Sequence, residues 1–541
     1  MTTEAISNLK NFINGQYLPP TQGKHIDSFN PAKAEVHARI PDSTAEDVEM
    51  AIVAAERAFQ HWSETKREAR AAILNKIAEI IERRIEEFAQ AESNDQGKPV
   101  WYARAVDITR SAYNFRFFAG QILYSHEQLN KIDGVATNYS LRQPVGVAGL
   151  ISPWNLSLYL LTWKIAPCIA CMFAIIFRPL RLGDPTSELT TIPIFTNPDI
   201  FASQPGPYPN TVGNTCVCKP SEFTSLTAYL LCSVLKEAGL PDGVVNMVFG
   251  TGANAGQALV EHPRVPLISF TGGTVTGRKI NQTCAPMFKK VSLEMGEWSE
   301  ECGGKNANII FDDCDLEKVI ETSIRSSFWN QGEICLCGSR IYVQRSIYDR
   351  FLEAFVPKAR ALVVGDPSHA ETHLGPLISE DHMHKVLGYI KMAEEEGGKV
   401  HCGGGRMTKD DFIDDEHAET RERGYFVAPT VITDLSASSR VMQEEIFGPV
   451  VTVYPFDTED EAVVLANNSP YGLACCVWTE NGRRARRCAE RIKAGYVWVN
   501  CWMVRDLTMP FGGMKQSGLG REGGEFSREF FTEAKTICLA D

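Results

Sequence analysis

The sequence lacks a hydrophobic run long enough to cross a membrane. Ile165 to Phe177 contains thirteen residues without a charge, and Lys164 separates this run from the apolar residues before it. A helix that spans a bilayer needs about 20 apolar residues. The segment therefore predicts a buried helix, and we expect no membrane span.

The N-terminus also lacks a targeting signal. Met1 to Ala5 has neither a basic region followed by an apolar core nor an Arg-rich amphipathic stretch. Without such a signal, the sixteen cysteines indicate free thiols in a reducing cytoplasm rather than disulfides. The CxxC at Cys168 to Cys171 has no second pair or histidine at zinc spacing, so we predict no metal.

Basic patches are missing as well. The net charge is −13, and no cluster of Lys and Arg stands out, which argues against nucleic acid as the main partner. The chain has 541 residues, 44% of them hydrophobic, which is enough for two or more domains with substantial cores.

From Val145 onward the chain alternates between strand and helix patterns. Repeated βαβ units predict an α/β fold with a doubly wound parallel sheet, whose ligands sit at the carboxyl ends of the strands. A second α/β set begins at Asn306. Before Val145 the patterns are helical, including a long helix from Arg67 to Ala91, and we expect no sheet strand there.

Cys335 is the cysteine whose setting indicates chemistry. A helical pattern from Asp315 to Phe328 precedes it, Asn330 and Gly332 end that helix, and a strand pattern begins at Arg340. Cys335 therefore lies on a short link where its side chain can face a cleft. The alternative for any cysteine is a small buried hydrophobic residue.

Four polar residues at or near strand ends could assist a thiolate or bind a ligand. Asn155 could donate to a developing oxyanion, although asparagine is also a common turn former. Glu294 could activate water if burial raises its pKa, or it could be an exposed strand-end carboxylate. Lys219 and Glu222 could hold ribose hydroxyls, or they could belong to an ordinary helix N-terminus.

Two glycine-bearing turns also follow strands. One contains Gly252 and Gly256, and the other contains Gly272 and Gly273 after Phe270. Glycine lets backbone N–H groups approach a pyrophosphate, but neither turn matches GxGxxG.

Together these parts resemble the NAD(P)-dependent aldehyde dehydrogenase family over nearly the whole chain. The family's motifs occur in its order at Pro153-Trp154-Asn155, Lys219-Pro220-Ser221-Glu222, Phe270-Thr271-Gly272, Leu293-Glu294-Met295-Gly296, Asn330 to Cys335, Glu445 to Pro449, Pro510 to Gly513 and Ser517-Gly518.

The resemblance implies a catalytic role for three residues. Cys335 would add to the aldehyde carbon, the Asn155 amide and the Cys335 backbone N–H would hold the oxyanion, and Glu294 would activate the water that releases the acid. It also implies an NAD site, in which the Glu222 carboxylate disfavours the 2′-phosphate of NADP. The residues expected there are Ile151, Pro153, Trp154, Lys219, Glu222, Gly252, Gly256, Phe270, Gly272, Gly273, Glu445 and Phe447.

The resemblance further implies three parts of the chain. We expect an NAD-binding domain at 1–119 and 145–296, a catalytic domain at 297–517, and an oligomerisation element at 120–144 and 518–541. The implied assembly is a homodimer or homotetramer.

For the substrate, the chain looks closest to the muconic-semialdehyde branch of the family, in tryptophan (kynurenine) and aromatic catabolism. Arg110 and Arg505 would lie near the aldehyde tunnel, where a guanidinium group suits a substrate carboxylate. Surface salt bridges are the alternative for both. The alternative substrate is a long apolar aldehyde such as retinal.

The chain departs from the family pattern at four places. Gly273 replaces a usual Ser, and Glu333 replaces a usual Gln. Residues 172–212 and 297–303 are insertions next to cofactor and catalytic elements. They leave open a catalytically impaired, structural relative.

Overall fold

The computed structural model describes residues 7–124, 128–171, 213–296, 304–412 and 418–540. Both predicted insertions, 172–212 and 297–303, lie outside these residues. Among the described residues, no helix is long and apolar enough to cross a membrane. The part of the predicted buried helix that is described, up to Cys171, is buried at every residue.

The strands of the described chain run from the N-terminus almost to its end. They are β1 (Ser7–Asn8), β2 (Asn11–Ile13), β3 (Gln16–Leu18), β4 (His25–Asn30), β5 (Glu35–Pro41), β6 (Leu129–Ile132), β7 (Ala136–Pro144), β8 (Val147–Ile151), β9 (Thr215–Lys219), β10 (Val245–Met247), β11 (Leu267–Gly273), β12 (Lys290–Gly296), β13 (Ala307–Ile310), β14 (Arg340–Gln344), β15 (Lys399–Cys402), β16 (Thr430–Thr433), β17 (Val450–Phe456), β18 (Tyr471–Gly472), β19 (Ala474–Trp478), β20 (Tyr496–Val499), β21 (Met514–Lys515), β22 (Gly518–Leu519) and β23 (Thr532–Ala540).

The helices alternate with these strands. They are α1 (Ala45–Trp62), α2 (Arg67–Arg83), α3 (Ile85–Gln96), α4 (Val100–Tyr102), α5 (Thr109–Tyr124), α6 (Ser157–Ala170), α7 (Leu226–Glu237), α8 (Gln257–Glu261), α9 (Thr274–Cys284), α10 (Leu316–Phe328), α11 (Tyr348–Arg360), α12 (Glu380–Glu395), α13 (Ala418–Arg421), α14 (Arg440–Gln443), α15 (Glu459–Asn467), α16 (Gly482–Arg491) and α17 (Gly524–Phe531). A π-helical turn, Ala103–Ile108, leads into α5.

The first large sheet has the order β22-β12-β11-β8-β9-β10-β2-β3. Its central strands β12, β11, β8, β9 and β10 pair in parallel, as the βαβ pattern predicts. Strands β8 and β9 are buried at every residue, because helices cover both faces of such a sheet.

The expectation of no sheet strand before Val145 is wrong. Strands β2 and β3 join the edge of the first sheet next to β10, and β1, β4 and β5 form a small sheet of their own. Strands β1, β2 and β3 have only two or three residues, too few to show the period of two that identifies a strand in sequence. Strands β4, β5 and β7 have six, seven and nine residues, so length does not explain why the sequence pattern misses them.

The second large sheet has the order β15-β16-β17-β14-β13-β19-β20. Its pairs are parallel except for β15 with β16. A third, antiparallel sheet joins β23, β7 and β6, with β23 and β7 paired over nine residues from Thr532 to Ala540. The two large sheets place the carboxyl ends of β8, β9, β11 and β12 and the link after α10 around one cleft.

Candidate active site

The link that carries Cys335 has an unusual backbone. After α10, Asn330 and Gln331 have φ of 52° and 56°, and Gly332 has φ of 75°. A Cβ atom at position 332 would lie 2.1 Å from the backbone oxygen of Gly448, so glycine is required there. The link is therefore packed backbone to backbone against the segment that carries Phe447.

Cys335 and Glu294 meet across the cleft. The Cys335 Sγ lies 3.6 Å from the Glu294 Oε1, although 41 residues separate the two in sequence. Burial, together with the negative charges of Glu294 and Glu445, raises the pKa of the Cys335 thiol well above its usual range. The resting side chain is therefore a thiol, and a base must remove its proton before it can act as a nucleophile.

Glu294 is suited to be that base. It is buried at the end of β12, and this burial raises the pKa of its carboxyl group to about 7. The negative charge of Glu522 adds to the rise, whereas the positive charges of Lys164 and Arg505 oppose it. A carboxyl group with a pKa near neutral can both accept and release a proton at physiological pH.

Asn155 lies beside the cysteine link, four residues after the end of β8. Its Nδ2 donates to the backbone oxygen of Glu333 at 3.0 Å, and its own backbone oxygen accepts from Asn330 Nδ2 at 3.2 Å. A primary amide has two N–H donors, so Asn155 can make this bond and still donate to an oxyanion.

Lys164 and Glu522 form a buried pair that the sequence analysis missed. Lys164 Nζ donates to Glu522 Oε1 at 3.1 Å and to Ser269 Oγ at 3.0 Å. Lys164 lies inside an apolar helix, and Glu522 lies in the C-terminal region where we predicted only an oligomerisation element. No local pattern links them to Glu294, so only the folded chain reveals their effect on its pKa.

A cleft of about 620 Å³ adjoins the Cys335–Glu294 pair. It is lined by eleven of the twelve residues predicted for the cofactor, namely Ile151, Pro153, Trp154, Lys219, Glu222, Gly252, Gly256, Phe270, Gly272, Gly273 and Phe447, and also by Asn155. Glu445 is not among its lining residues. Glu445 is buried. It lies close to the cysteine link, since a Cβ atom built on Gly304 would be 3.0 Å from Glu445 Oε1 and 3.3 Å from the Cys335 backbone oxygen.

The polar groups of this cleft fit a dinucleotide. Gly273 is the N-cap of α9, so the N-terminus of that helix faces the cleft, where it can hold a phosphate. A Cβ atom at Gly252 would meet nothing within 4 Å, which leaves the backbone there open to a ligand. Ser152 Oγ and Thr271 Oγ1 are buried in the cleft without a hydrogen-bond partner among the described residues.

Lys219 and Glu222 form an ion pair in the lining of the cleft. Lys219 Nζ lies 2.7 Å from Glu222 Oε2. Burial would raise the pKa of Glu222, but the Lys219 charge and several hydrogen bonds outweigh it and lower the pKa below its usual value. An ionised carboxylate at this position accepts hydroxyl hydrogens and repels a phosphate.

Arg110 and Arg505 lie in a second cavity of about 340 Å³. Arg505 Nη1 donates to the Tyr159 hydroxyl at 3.2 Å, and Arg110 Nε donates to Asn114 Oδ1 at 3.1 Å. Arg110 Nη2 is buried and has no hydrogen-bond partner in the part of the chain that the structure describes. Both arginines also make cation–π contacts among the described residues: Arg110 lies over the rings of Tyr159 and Trp163, and Arg505 lies over those of Trp163 and Phe511. The remaining lining is largely aromatic: Tyr102, Tyr113, Tyr159, Trp329 and Trp502.

Parallel α/β sheets whose strand ends enclose a cleft beside a cysteine–glutamate pair are typical of dehydrogenases that work through a covalent thiol intermediate. The chain belongs to the aldehyde dehydrogenase family, whose model matches residues 17–200 and 207–537. It is therefore an oxidoreductase that acts on aldehyde groups.

Curated relatives match this chain over nearly their full length. A 2-aminomuconic semialdehyde dehydrogenase of Danio rerio is 50% identical over 534 residues, with 98% of each chain covered. The Homo sapiens enzyme of the same name is 47% identical, with 99% of each covered. A 2-hydroxymuconic semialdehyde dehydrogenase of Pseudomonas is 42% identical over 99% of this chain and 100% of that protein.

Solved structures agree with the fold. An NAD+ complex of an aldehyde dehydrogenase from Bacillus cereus has a TM-score of 0.86 and 37% identity, covering 98% of this chain and 96% of that one. A betaine aldehyde dehydrogenase from Staphylococcus aureus, also with NAD+, has a TM-score of 0.84 and 34% identity, covering 98% and 94%. The predicted α/β fold and the predicted family are confirmed.

Proposed function

We propose that this protein uses NAD to oxidise a carboxylated semialdehyde, such as 2-aminomuconic semialdehyde, to the corresponding acid. The observation that carries the proposal is the pair Arg110 and Arg505 in the cavity that also contains Trp329 and Trp502. Two guanidinium groups without a carboxylate partner among the described residues can bind the carboxylate of a substrate. The names of the relatives at 47–50% identity point to the same substrate class.

The first step belongs to Glu294 and Cys335. The Glu294 carboxylate removes the thiol proton, and the Cys335 thiolate attacks the aldehyde carbon to form a C–S bond. The electron pair of the carbonyl moves to its oxygen. The second N–H of the Asn155 amide and the Cys335 backbone N–H stabilise the oxyanion of this thiohemiacetal.

The cleft holds the cofactor for the second step. Lys219 and Glu222 would bind the adenine-side ribose, and Glu445 would bind the nicotinamide ribose. Phe447 packs edge-on against Trp154, with ring centroids 5.5 Å apart, and would contact the nicotinamide. NAD+, when bound there, would supply the hydride acceptor that conversion of the thiohemiacetal to a thioester on Cys335 requires.

Glu294 acts again in the last step. Once the proton taken from the thiol has passed from Glu294 to solvent, the Glu294 carboxylate takes a proton from water. The resulting hydroxide adds to the thioester carbon, and the C–S bond breaks to release the acid and the Cys335 thiolate. Lys164 and Glu522 adjust the pKa at which Glu294 can do this, because both charges reach it.

An apolar aldehyde such as retinal is the second candidate substrate. The aromatic lining of the 340 Å³ cavity favours it, because aromatic rings bind an apolar chain well. The two arginines favour the semialdehyde, since burying them against an apolar chain leaves two charges unpaired.

The test is NADH formation, followed by absorbance, with a panel of aldehydes. We expect a carboxylated semialdehyde to give a higher kcat/KM than short aliphatic aldehydes and retinal. A preference for retinal would contradict the semialdehyde assignment, and no turnover with any aldehyde would contradict the enzyme. NADP+ in place of NAD+ should lower kcat/KM because of Glu222.

We also propose a cytoplasmic homodimer or homotetramer that assembles through residues 120–144 and 518–541. Fifteen cysteines in the described residues are free thiols, which supports a reducing compartment. The antiparallel sheet of β6, β7 and β23 supports the assembly, because β6 is an exposed edge strand. We propose as well that residues 1–119 and 145–296 form the NAD-binding domain and that residues 297–517 form the catalytic domain.

A further inference from the structure

The end of helix α3 lies between the two segments that carry Asn155 and Cys335. The helix ends at Gly97, whose φ of 92° turns the chain sharply. A Cβ atom there would lie 2.8 Å from Pro376 Cγ and 2.9 Å from the Pro376 backbone oxygen. The turn is therefore fixed against residues 375–378, and it presents a buried side chain on each side of the glycine, Gln96 and Lys98.

Lys98 contacts the Asn155 segment. Its Nζ donates to the Asn155 backbone oxygen at 2.8 Å and forms salt bridges with Glu92 at 3.0 Å and Asp107 at 2.5 Å. Glu92 Oε1 also accepts from the backbone N–H of Ser157 at 3.2 Å. The end of α3 therefore holds the backbone of Asn155 and of Ser157, on either side of Leu156.

Gln96 contacts the Cys335 segment. Its Nε2 donates to Glu333 Oε2 at 2.6 Å, and its Oε1 accepts from the backbone N–H of Lys98 at 3.1 Å. Glu333 Oε1 accepts from the backbone N–H of Ile378 at 3.2 Å. Glu333 is fully buried, and its backbone oxygen is the acceptor for the Asn155 amide.

Glu333, which replaces the glutamine usual in the family, is thus matched by an amide donor at position 96. The bond joins residues 237 positions apart. Glu333 lies two residues before Cys335, and its backbone oxygen accepts from the Asn155 amide. The position of Glu333 therefore determines the position of the Cys335 thiol relative to that amide.

We propose that Gln96 and Lys98 are positioning residues, which hold the Asn155 amide and the Cys335 thiol in register for attack on the aldehyde. This inference rests on the proposed roles of Asn155 and Cys335. Neither Gln96 nor Lys98 lines the cofactor cleft or the arginine cavity, so they act through the two segments and not on the substrate. A displacement of about 1 Å at a reacting group can lower a rate about a hundredfold.

The test replaces the hydrogen bond and then rebuilds it with exchanged partners. Gln96→Leu removes the donor to Glu333 at similar volume. The double variant Gln96→Glu with Glu333→Gln restores one amide and one carboxyl group. In it the backbone N–H of Lys98 can still donate to an oxygen of residue 96, and the backbone N–H of Ile378 to an oxygen of residue 333. Hydride transfer is measured as the single-turnover rate of NADH formation with enzyme in excess, and NAD+ affinity by quenching of tryptophan fluorescence.

We expect Gln96→Leu to slow hydride transfer about ten- to a hundredfold, with NAD+ affinity and KM close to those of the wild type. The exchanged pair should recover to within about threefold of the wild type. A folded Gln96→Leu variant with an unchanged rate would overturn the proposal. The proposal would also be overturned if the double variant folds but transfers hydride about tenfold or more slowly than the wild type. The double variant tests the proposal even if Gln96→Leu does not fold.

A second readout separates this proposal from the proposed function. The rate of Cys335 alkylation by iodoacetamide, followed by peptide mass spectrometry, reports the setting of the thiol without any aldehyde. We expect it to fall about tenfold in Gln96→Leu, because the thiol leaves its position beside the Glu294 base, and to recover in the exchanged pair. If the wild type oxidises no aldehyde, the proposed function fails, and unchanged alkylation rates would overturn the positioning role independently.

Discussion

At the scale of single residues, the charge state of Glu294 controls the proposed chemistry. Burial and the charge of Glu522 raise its pKa to about 7, and both the thiol and the water must give a proton to its ionised form. We expect kcat to fall as the pH drops through about 7. Glu522→Gln removes a negative charge, which lowers the pKa of Glu294, so the acid limb of the kcat profile should move to lower pH.

The matched control for this shift is Glu49→Gln, because Glu49 lies on the surface near His262 and Arg264. Its profile should coincide with that of the wild type. An acid limb that stays in place or moves to higher pH in Glu522→Gln would show that Glu522 does not act on the base.

The two cysteines of the link should differ sharply. Cys335→Ser should abolish oxidation, since it removes the thiol that lies beside Glu294. Cys337→Ser should keep most of the activity, because Cys337 is buried in the apolar core and donates its backbone N–H to Ile334. Steady-state NADH formation measures both, and equal losses would contradict the assignment of the nucleophile.

Glu294→Gln separates its two proposed uses. An amide can take a proton neither from the thiol nor from water, but the thiol can still lose its proton slowly to solvent. Release of the acid should therefore slow most, and NADH should appear as a slowed burst followed by still slower turnover. Stopped-flow absorbance shows the burst directly. If the burst and the steady state fall by the same factor, Glu294 is not specific to the hydrolytic step.

The two cavity arginines decide the substrate class. Arg110→Ala and Arg505→Ala should each raise KM for a carboxylated semialdehyde about ten- to a hundredfold, which corresponds to roughly 1.5–3 kcal/mol for a charge-assisted contact. KM for an uncharged aldehyde should change little. Arg104→Ala is the control, since Arg104 is exposed and pairs with Glu86. Equal rises in KM for both substrates would make the arginines structural. An equal fall in kcat for Arg505→Ala is expected near neutral pH, because the Arg505 charge also opposes the raised pKa of Glu294.

At the scale of elements, local patterns predicted most of the fold. The helix α10, the link with Cys335 and the strand β14 lie where the apolar spacing indicates. The predicted helix from Arg67 to Ala91 is instead two, α2 and α3, because Arg84 breaks the helix between them. The contacts of Gln96 with Glu333 and of Lys164 with Glu522 could not be predicted, since residues hundreds of positions apart leave no local pattern.

The element α3 should also affect stability through Lys98. This side chain is fully buried, and its ammonium balances the carboxylates of Glu92 and Asp107. Lys98→Met leaves both carboxylates buried without a positive charge, which should cost roughly 3–5 kcal/mol. Thermal unfolding followed by circular dichroism should show a lower midpoint. Lys76→Met, which removes an exposed pair with Glu79, should leave the midpoint nearly unchanged.

At the scale of the whole molecule, the third sheet should set the assembly. Its strands come from two distant parts of the chain, and Ile132 and Leu539 on it are 52% and 48% exposed. Exposed apolar residues on an edge strand and its neighbours commonly contact a second subunit. The double variant Ile132→Glu with Leu539→Glu places charges there, so it should reduce the particle mass measured by light scattering after size exclusion. Val363→Glu, at an exposed residue outside this sheet, is the control and should leave the mass unchanged. A double variant that keeps the wild-type mass would place the subunit interface elsewhere on the protein.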